Sequence, residues 1–337
     1  MKSFHCHCGN RVFFENTACQ VCQRQLGFDP ARLDIVALDV SPSGHLKTPD
    51  GADYRRCGNA RRHANCNWLM QQHESGDLCF SCRMNEVIPA LDRPGNLQLW
   101  SRIEAAKRRL LYSLLTLKLP VAGDLSLKFR FMEDNRRNPD VYENFVITGH
   151  FDSTITINIA EADDVARHEA RVQMNERYRT VLGHLRHEYA HFFFPLIMDS
   201  PQQLEECRQL FGDERADYQA ALNDYYNQGP VANWHDNHVS AYASSHPAED
   251  FAETFAHFLH IGDALESARV GRLAPGQVVS QTNDWVGDWI ELAITLNEIS
   301  RSLGSDDPYP FLLPEPVKRK LQFIDRLVRQ QAEHSAG

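Results

Sequence analysis

Positive charge is scarce in this chain of 337 residues. Its 35 Lys and Arg face 45 Asp and Glu, a net charge of −10 with histidine neutral. Residues 1–93 are near balance at 11 basic and 10 acidic side chains, so residues 94–337 carry 24 and 35. An acidic body argues against general DNA or RNA binding, because affinity for phosphate rests on clustered Lys and Arg. Long apolar runs are also lacking. No stretch approaches the roughly 20 apolar residues of a membrane span. The opening Met1-Lys2-Ser3-Phe4-His5-Cys6 has no apolar leader segment. A cytoplasmic protein without membrane association is expected. There is neither an internal repeat nor a low-complexity tract, and the 42% hydrophobic content is ample for a core. The length allows two domains, or one domain with an appendage.

Cysteine is nearly absent after residue 93: eight of nine lie before it, and Cys207 stands alone. The eight form two groups. Cys6 and Cys8 precede Cys19 and Cys22; Cys57 and Cys66 precede Cys79 and Cys82. Each group has the composition of a tetrahedral four-cysteine structural zinc site, with thiolates on paired knuckle turns. Gly9 and Gly58 follow a cysteine where a tight turn is needed. In a reducing compartment disulfides are the weaker reading, and no βαβ pattern surrounds the C-x-x-C pairs to suggest redox chemistry. Ligand exchange between the groups stays open, as does a role for His63 or His73. Cys207 reads as a small buried hydrophobe. Arg55, Arg56, Arg61 and Arg62 form a basic cluster beside the second group. Solvated charge around thiolates is preferred there over a contact to nucleic acid or to an acidic partner.

The chain is arranged around residues 180–194, TVLGHLRHEYAHFFF. His187 and His191 lie four apart in an H-E-x-x-H. On a helix they are about 40° apart around the axis and one turn of roughly 5.4 Å along it. Both imidazoles can then reach one Zn²⁺, and Glu188 is placed to touch a water beside it. Val181, Leu182, Leu185, Tyr189, Phe192 and Phe193 supply an apolar face, and Pro195 marks the expected end. The plainer alternative is two helix histidines satisfied by hydrogen bonds. His184 falls near the same stripe but a turn further out, which suggests a core or supporting position.

A catalytic zinc needs a third protein ligand. Residues 239–260 offer one. Pro247 suits a first helical position, and Glu249 and Glu253 follow one turn apart among Phe251, Ala252, Phe255, Ala256 and Phe258. Glu249 would ligate zinc, and Glu253 would hold the outer N–H of a histidine ligand.

Tyr242, Glu249 and Phe251-Ala252-Glu253 resemble the second zinc segment of the anthrax lethal factor peptidase and its relatives, which are gluzincins. Over nearly its full length the chain is similar to a bacterial family designated putative zinc-binding metallopeptidases, which carry an N-terminal zinc ribbon. The matching segments are residues 183–188, Phe211-Gly212-Asp213-Glu214-Arg215-Ala216-Asp217-Tyr218, and Val239 to Glu253. The resemblance implies His187, His191 and Glu249 as ligands, Glu188 as general base and Tyr242 as oxyanion donor. The expected fold is α+β, mainly α: a small double zinc-ribbon domain over 1–93, then a zincin-like metallopeptidase domain over 94–337. The expected cofactors are three zinc ions, one catalytic and two structural. The expected partner is a peptide or protein substrate, and the ribbon leaves room for a protein partner. Two rivals remain: a catalytically idle zinc-stabilised adaptor, and a DNA-associated protease of the SprT kind. A SprT-like enzyme would call for histidine as third ligand and a basic surface.

Elsewhere, 97–118 has helical periodicity and 125–132 alternates. Residues 145–159 read as two strands about a turn at Gly149, with 154–159 a candidate edge strand for extended substrate. Helices are expected at 163–172, broken near Asn175-Glu176, at 213–226 capped by Asp213, at 283–303 and at 318–331, with a loop at 271–276.

Overall fold

The computed structural model describes residues 2–41, 45–121, 126–144, 146–173, 180–198, 200–273 and 284–334. By spatial contact the chain falls into two compact units, residues 2–149 with 153–163, and residues 150–152 with 164–337.

The first unit opens with a two-stranded antiparallel knuckle, β1 (Phe4–His5) against β2 (Arg11–Val12). A five-stranded antiparallel meander follows: β3 (Gln25–Asp29), β4 (Asp34–Val40), β5 (Leu46–Lys47), β6 (Asp53–Arg56) and β7 (Leu69–Gln71). Val36, Leu38, Leu46, Tyr54 and Leu69 pack together as its core. At Gly27 an added Cβ would stand 2.6 Å from the Leu69 side chain, so β3 requires glycine there. Helix α1 (Gly58–His63) starts directly after Cys57.

Helix α2 (Asn96–Thr116) belongs to the same unit as the cysteines. Its Leu99, Trp100, Ile103, Leu110, Leu111 and Leu114 are buried at helical spacing. Tyr112 sits among Phe4, Phe14 and Phe28, with ring centroids 6.1, 5.4 and 6.1 Å away. The helix also carries charge into the interior. Glu104 and Lys107 are fully buried, with Lys107 Nζ 2.9 Å and Arg108 3.4 Å from the Glu104 carboxylate. Lys107 donates to the Ser81 carbonyl at 3.0 Å and Arg108 to the Asn65 carbonyl at 3.0 Å, so the charges are paired and hydrogen-bonded. The grouped cysteines stop at residue 82, but the unit they belong to continues well past it.

Three further strands complete this unit's framework. β8 (Asn85–Val87) runs parallel to β9 (Lys128–Met132). The chain passes between units at β10 (Gly149–Phe151), and β11 (Thr154–Asn158) pairs parallel with β9 from Thr154↔Lys128 to Asn158↔Met132. Phe129, Phe131, Ile155 and Ile157 are fully buried, as alternation predicts. The turn between β10 and β11 differs from the expectation. It lies at Asp152-Ser153, where Asp152 takes a left-handed φ of 50°, and Gly149 begins β10 instead.

The second unit is helical. After α3 (Asp164–Gln173) comes α4 (Val181–Ile197), capped by Thr180 Oγ1 accepting from Gly183 N at 2.9 Å. The break expected at Asn175-Glu176 lies outside the described residues. Pro195 does not end α4. It sits inside the last turn, and the helix runs two residues further although proline gives up its own N–H bond to the preceding turn. α5 (Pro201–Phe211) is capped by Ser200. α6 (Tyr218–Gln228) begins later than its pattern suggested. Asp213 accepts from the Arg215 backbone and guanidinium in a turn, leaving Asp217 to cap the helix through Ala220 N at 3.0 Å. α7 (Pro247–Gly271) has Pro247 at its first position and runs one residue into the loop expected at 271–276, of which 274–276 lie outside the described residues. α8 (Trp285–Ser302) and α9 (Glu315–His334) complete the unit. Among the described residues, no helix is long and apolar enough to cross a membrane.

Aromatic packing joins α4 to α7. The Phe255 ring lies 6.0 Å from Tyr189 and 5.2 Å from Phe193, and Phe194 lies edge-on to Phe251 at 4.9 Å. A buried ion pair ties α7 to α9: Lys320 Nζ is 2.5 Å from Asp250 Oδ2 and donates to the Asn237 carbonyl at 2.7 Å. Burial pushes the Asp250 carboxyl from 3.8 up to about 7, against the opposing pull of Lys320. A folded-state pKa above the unfolded one means that this group favours folding fully below about pH 4 and loses that contribution as pH rises through about 7. Lys320→Met is expected to cost about 3–5 kcal/mol at pH 8, where a buried carboxylate is left alone. The cost should be smaller at pH 5, where Asp250 holds a proton. Urea unfolding at the two pH values measures both costs, and equal losses would contradict this account.

Candidate metal centres

The two cysteine groups close on themselves. In the first, Cys6 Sγ lies 3.5 Å from Cys22 Sγ and Cys8 Sγ 3.8 Å from Cys19 Sγ. In the second, Cys66 Sγ lies 3.6 Å from Cys79 Sγ and 3.8 Å from Cys82 Sγ, with Cys57 Sγ accepting from Cys79 N at 3.4 Å. No pair is bonded as a disulfide. Sulfurs around zinc at about 2.3 Å stand about 3.8 Å apart along a tetrahedral edge, so both sets have the dimensions of a four-thiolate zinc site. Ligand sulfurs are not exchanged between the groups, and neither His63 nor His73 joins the second.

The groups differ in surroundings. All four cysteines of the second are buried, whereas Cys8 of the first is exposed and Cys22 half-buried. The basic cluster beside the second group is internally engaged. Arg61 and Arg62 both pair with Asp77, whose backbone carbonyl accepts from Gly58 N at 2.6 Å. Arg55 donates to the Glu74 and Gly76 carbonyls, and Arg56 to the Leu26 carbonyl at 2.8 Å. Cys207 is buried away from both groups' sequence, and burial pushes its thiol up to about 12, in keeping with an inert packing residue.

The third centre lies in the helical unit. α4 turns His187 and His191 to one side, and their Nε2 atoms are 3.1 Å apart. The first turn of α7 brings Glu249 to meet them. Its Oε2 is 2.9 Å from His187 Nε2 and its Oε1 3.4 Å from His191 Nε2. These three residues can present one ligand atom each, all mutually within 4.8 Å; His184 is not among them. Glu249 is 1% exposed, and its Oε2 has no hydrogen-bond partner. A buried carboxylate with one oxygen facing each of two imidazole nitrogens is costly unless positive charge lies between them. The 2.9–3.4 Å separations match the roughly 3.3 Å edge of a tetrahedron with 2.0–2.1 Å bonds to nitrogen and oxygen. The donor set therefore fits Zn²⁺.

The next layer of contacts fixes the rings. Glu253, one turn after Glu249, takes His187 Nδ1 at 2.7 Å and accepts from Ser240 Oγ at 2.7 Å. Ser240 Oγ in turn accepts from Ala243 N at 3.1 Å, which ties it to the short turn that carries Tyr242. With Nδ1–H given to Glu253, the lone pair of His187 stays on Nε2, where a metal would need it.

Burial disfavours charge on His187, yet the Glu249 and Glu253 carboxylates on its two nitrogens hold it protonated well above the ordinary imidazole range. Burial would likewise raise Glu253, but the hydrogen bond from His187 carries it down to about 2. Glu249 is held far below the carboxylate range because both imidazoles outweigh its burial. Glu188 is the exception. It is buried, and burial raises its carboxyl even though His187 and His191 pull the other way. The Tyr242 ring stands 6.0 Å from that of His187, and burial, then the Glu249 charge, pushes its hydroxyl up.

Besides Ser240, two further groups here carry no signal in the sequence reading. Tyr218, at the start of α6, donates to Glu249 Oε1 at 2.7 Å. It lay within a segment marked by family resemblance, but nothing in its spacing named its partner. His150, on β10, packs edge-on to Phe192 at 6.1 Å; burial and then His191 lower its basicity.

The family model described as "Putative zinc-binding metallo-peptidase" matches residues 96–327, more than half of the chain. A model described as "zinc-ribbon domain" matches residues 3–93. Uncharacterized proteins of Mycobacterium bovis and of two Mycobacterium tuberculosis strains are similar to this chain, each 41% identical over 347 aligned positions covering 98% of this chain and 96% of theirs. No solved structure matches it.

If Glu253 orients His187, Glu253→Ala is expected to weaken zinc binding at the His/Glu centre by about 10–100-fold. Chelator competition on the purified protein measures this, with zinc at the cysteine groups unchanged. Wild-type affinity in the variant would contradict the role.

Proposed function

Because the chain belongs to the "Putative zinc-binding metallo-peptidase" family, we propose that it is a zinc peptidase of the gluzincin type, with a zincin-like catalytic part related to that of lethal factor. His187, His191 and Glu249 hold one zinc ion, and the two cysteine groups each hold a structural one. The observation that carries this reading is the convergence of two imidazole Nε2 atoms and a buried carboxylate next to a second buried carboxylate, Glu188.

Zinc at that point supplies polarisation of a water molecule and of the scissile carbonyl. The remaining steps belong to the protein. Glu188 accepts the proton of the attacking water and delivers it to the leaving amine. Its burial suits this, since a carboxyl raised above its usual range is better matched to proton transfer near neutral pH. The Tyr242 hydroxyl, kept protonated by burial and by the Glu249 charge, donates to the oxyanion as it forms. Glu253 and Ser240 hold His187 in the tautomer that the reaction needs. The substrate class is a peptide or protein. A carboxylate in the third ligand position favours this reading over a SprT-like protease, and the placement of both Glu188 and Tyr242 favours it over an idle adaptor. Cysteines gathered as two zinc sites rather than as disulfides suit a reducing compartment such as the cytoplasm.

Two variants test the reading. Glu188→Gln is expected to keep all three zinc ions and to lose about 10²–10⁴-fold in turnover, read from new peptide termini that appear with the native enzyme only. Turnover at the native rate would remove Glu188 from the chemistry. Glu249→Ala is expected to lower the zinc count from three to two by elemental analysis; an unchanged count would remove Glu249 from the ligand set.

A further inference from the structure

The two oxygens of Glu249 have different neighbours. Oε2 stands 2.9 Å from His187 Nε2, whereas Oε1, 3.4 Å from His191 Nε2, also accepts from the Tyr218 hydroxyl at 2.7 Å. A carboxylate with both oxygens free can grip a cation with one or with two, and can rotate between these modes. Filling one oxygen with a strong donor leaves the other as the ligand and fixes the plane of the group.

Tyr218 is held by a segment fitted to the start of α7. Its ring packs edge-on against His246 at 5.1 Å. His246 caps α7 by accepting from Ala248 N at Nδ1, 3.1 Å, and its Nε2 donates to the Ala216 carbonyl at 3.1 Å. Earlier in the segment, Gly212 has a φ of 99°, and an added Cβ there would stand 3.0 Å from Pro247 Cγ. The Phe211 ring lies 5.6 Å from that of Phe251. Arg208 with Glu214 at 2.6 Å, and Arg215 with Asp213 at 2.8 Å, brace the segment itself. Residues 211–218 thus meet the first turn of α7 at Pro247, His246, Phe251 and Glu249.

We propose that Tyr218 is the positioning residue for Glu249. Its hydroxyl engages Oε1 so that Oε2 alone ligates, and the 211–218 segment serves to hold that hydroxyl against the first turn of α7. The inference rests on the reading that His187, His191 and Glu249 hold zinc. Tyr218 acts through Glu249 and leaves the oxyanion to Tyr242.

The test uses the full chain loaded with zinc. A thiol reagent releases the cysteine-bound ions, and chelator competition titrates the third. Tyr218→Phe keeps the ring on His246 and removes only the donor. It is expected to weaken the third zinc by about tenfold or more, with two cysteine-bound ions retained. The melting temperature with the third site emptied should fall modestly, because Glu249 Oε1 loses a buried donor, and the further stabilisation gained on refilling that site should shrink as well. Gly212→Ala disturbs the segment without touching the hydroxyl and is expected to weaken the same ion, which keeps the test open should Tyr218→Phe not fold. Wild-type affinity for the third ion in the folded variants overturns the positioning role alone. A native chain that holds only two zinc ions overturns the zinc reading beneath it as well.

Discussion

Two carboxylates one helical turn apart on α7 take opposite nitrogens of a single imidazole. Glu253 engages His187 at Nδ1 and Glu249 faces it at Nε2, both within hydrogen-bonding distance. Buried negative charge of this density is unstable by itself, because transferring one carboxylate out of water without compensation costs several kcal/mol. The arrangement becomes reasonable when positive charge occupies the space between the groups, as a proton in the free chain or as a metal ion in the loaded one. Much of the helical unit serves to keep that space in being. The aromatic contacts of Tyr189, Phe193 and Phe194 with Phe251 and Phe255 fix α4 against α7, so the histidines and the glutamates keep their separation.

The same balance of charge recurs around the cysteines. Four thiolates around a divalent cation leave a net charge of about −2. Near the second group, Lys107 and Arg108 enter the interior from α2, and Glu104 between them fixes both in place. That group is wholly buried, whereas the first opens to solvent at Cys8. In neither unit do the candidate ligands stand apart from the packing around them: cysteines and histidines sit on helices and strand turns whose other faces are filled by aromatic rings.

How much of this could be read from the chain alone depended on sequence distance. The pairing of His187 with His191 follows from helical geometry, and the turn from Glu249 to Glu253 repeats it, so one-turn periodicity was enough to propose each pair. The eight early cysteines could be grouped by proximity in sequence, which leaves exchange of ligands between the groups open. Tyr218 escaped because its partner lies 31 residues away and the intervening chain is irregular. The start of α6 was misplaced for a related reason. Asp213 and Asp217 are equally good caps by type, and the choice went to Asp217 because Arg215 folds back onto Asp213. Pro195 is a helix breaker by type, yet α4 carries it in the final turn and ends two residues later.

The position of α2 bears on how this protein can be divided. The metallo-peptidase match begins at residue 96, which invites a cut just ahead of it. A chain shortened there would keep α2 but strip Tyr112 of Phe4, Phe14 and Phe28, and would take from Lys107 and Arg108 the carbonyls of Ser81 and Asn65. The helix would be left with a bare aromatic flank and two cations short of acceptors, a surface prone to self-association. In physical terms, α2 is the lid of the cysteine-bearing part, and a soluble fragment has to leave the two together.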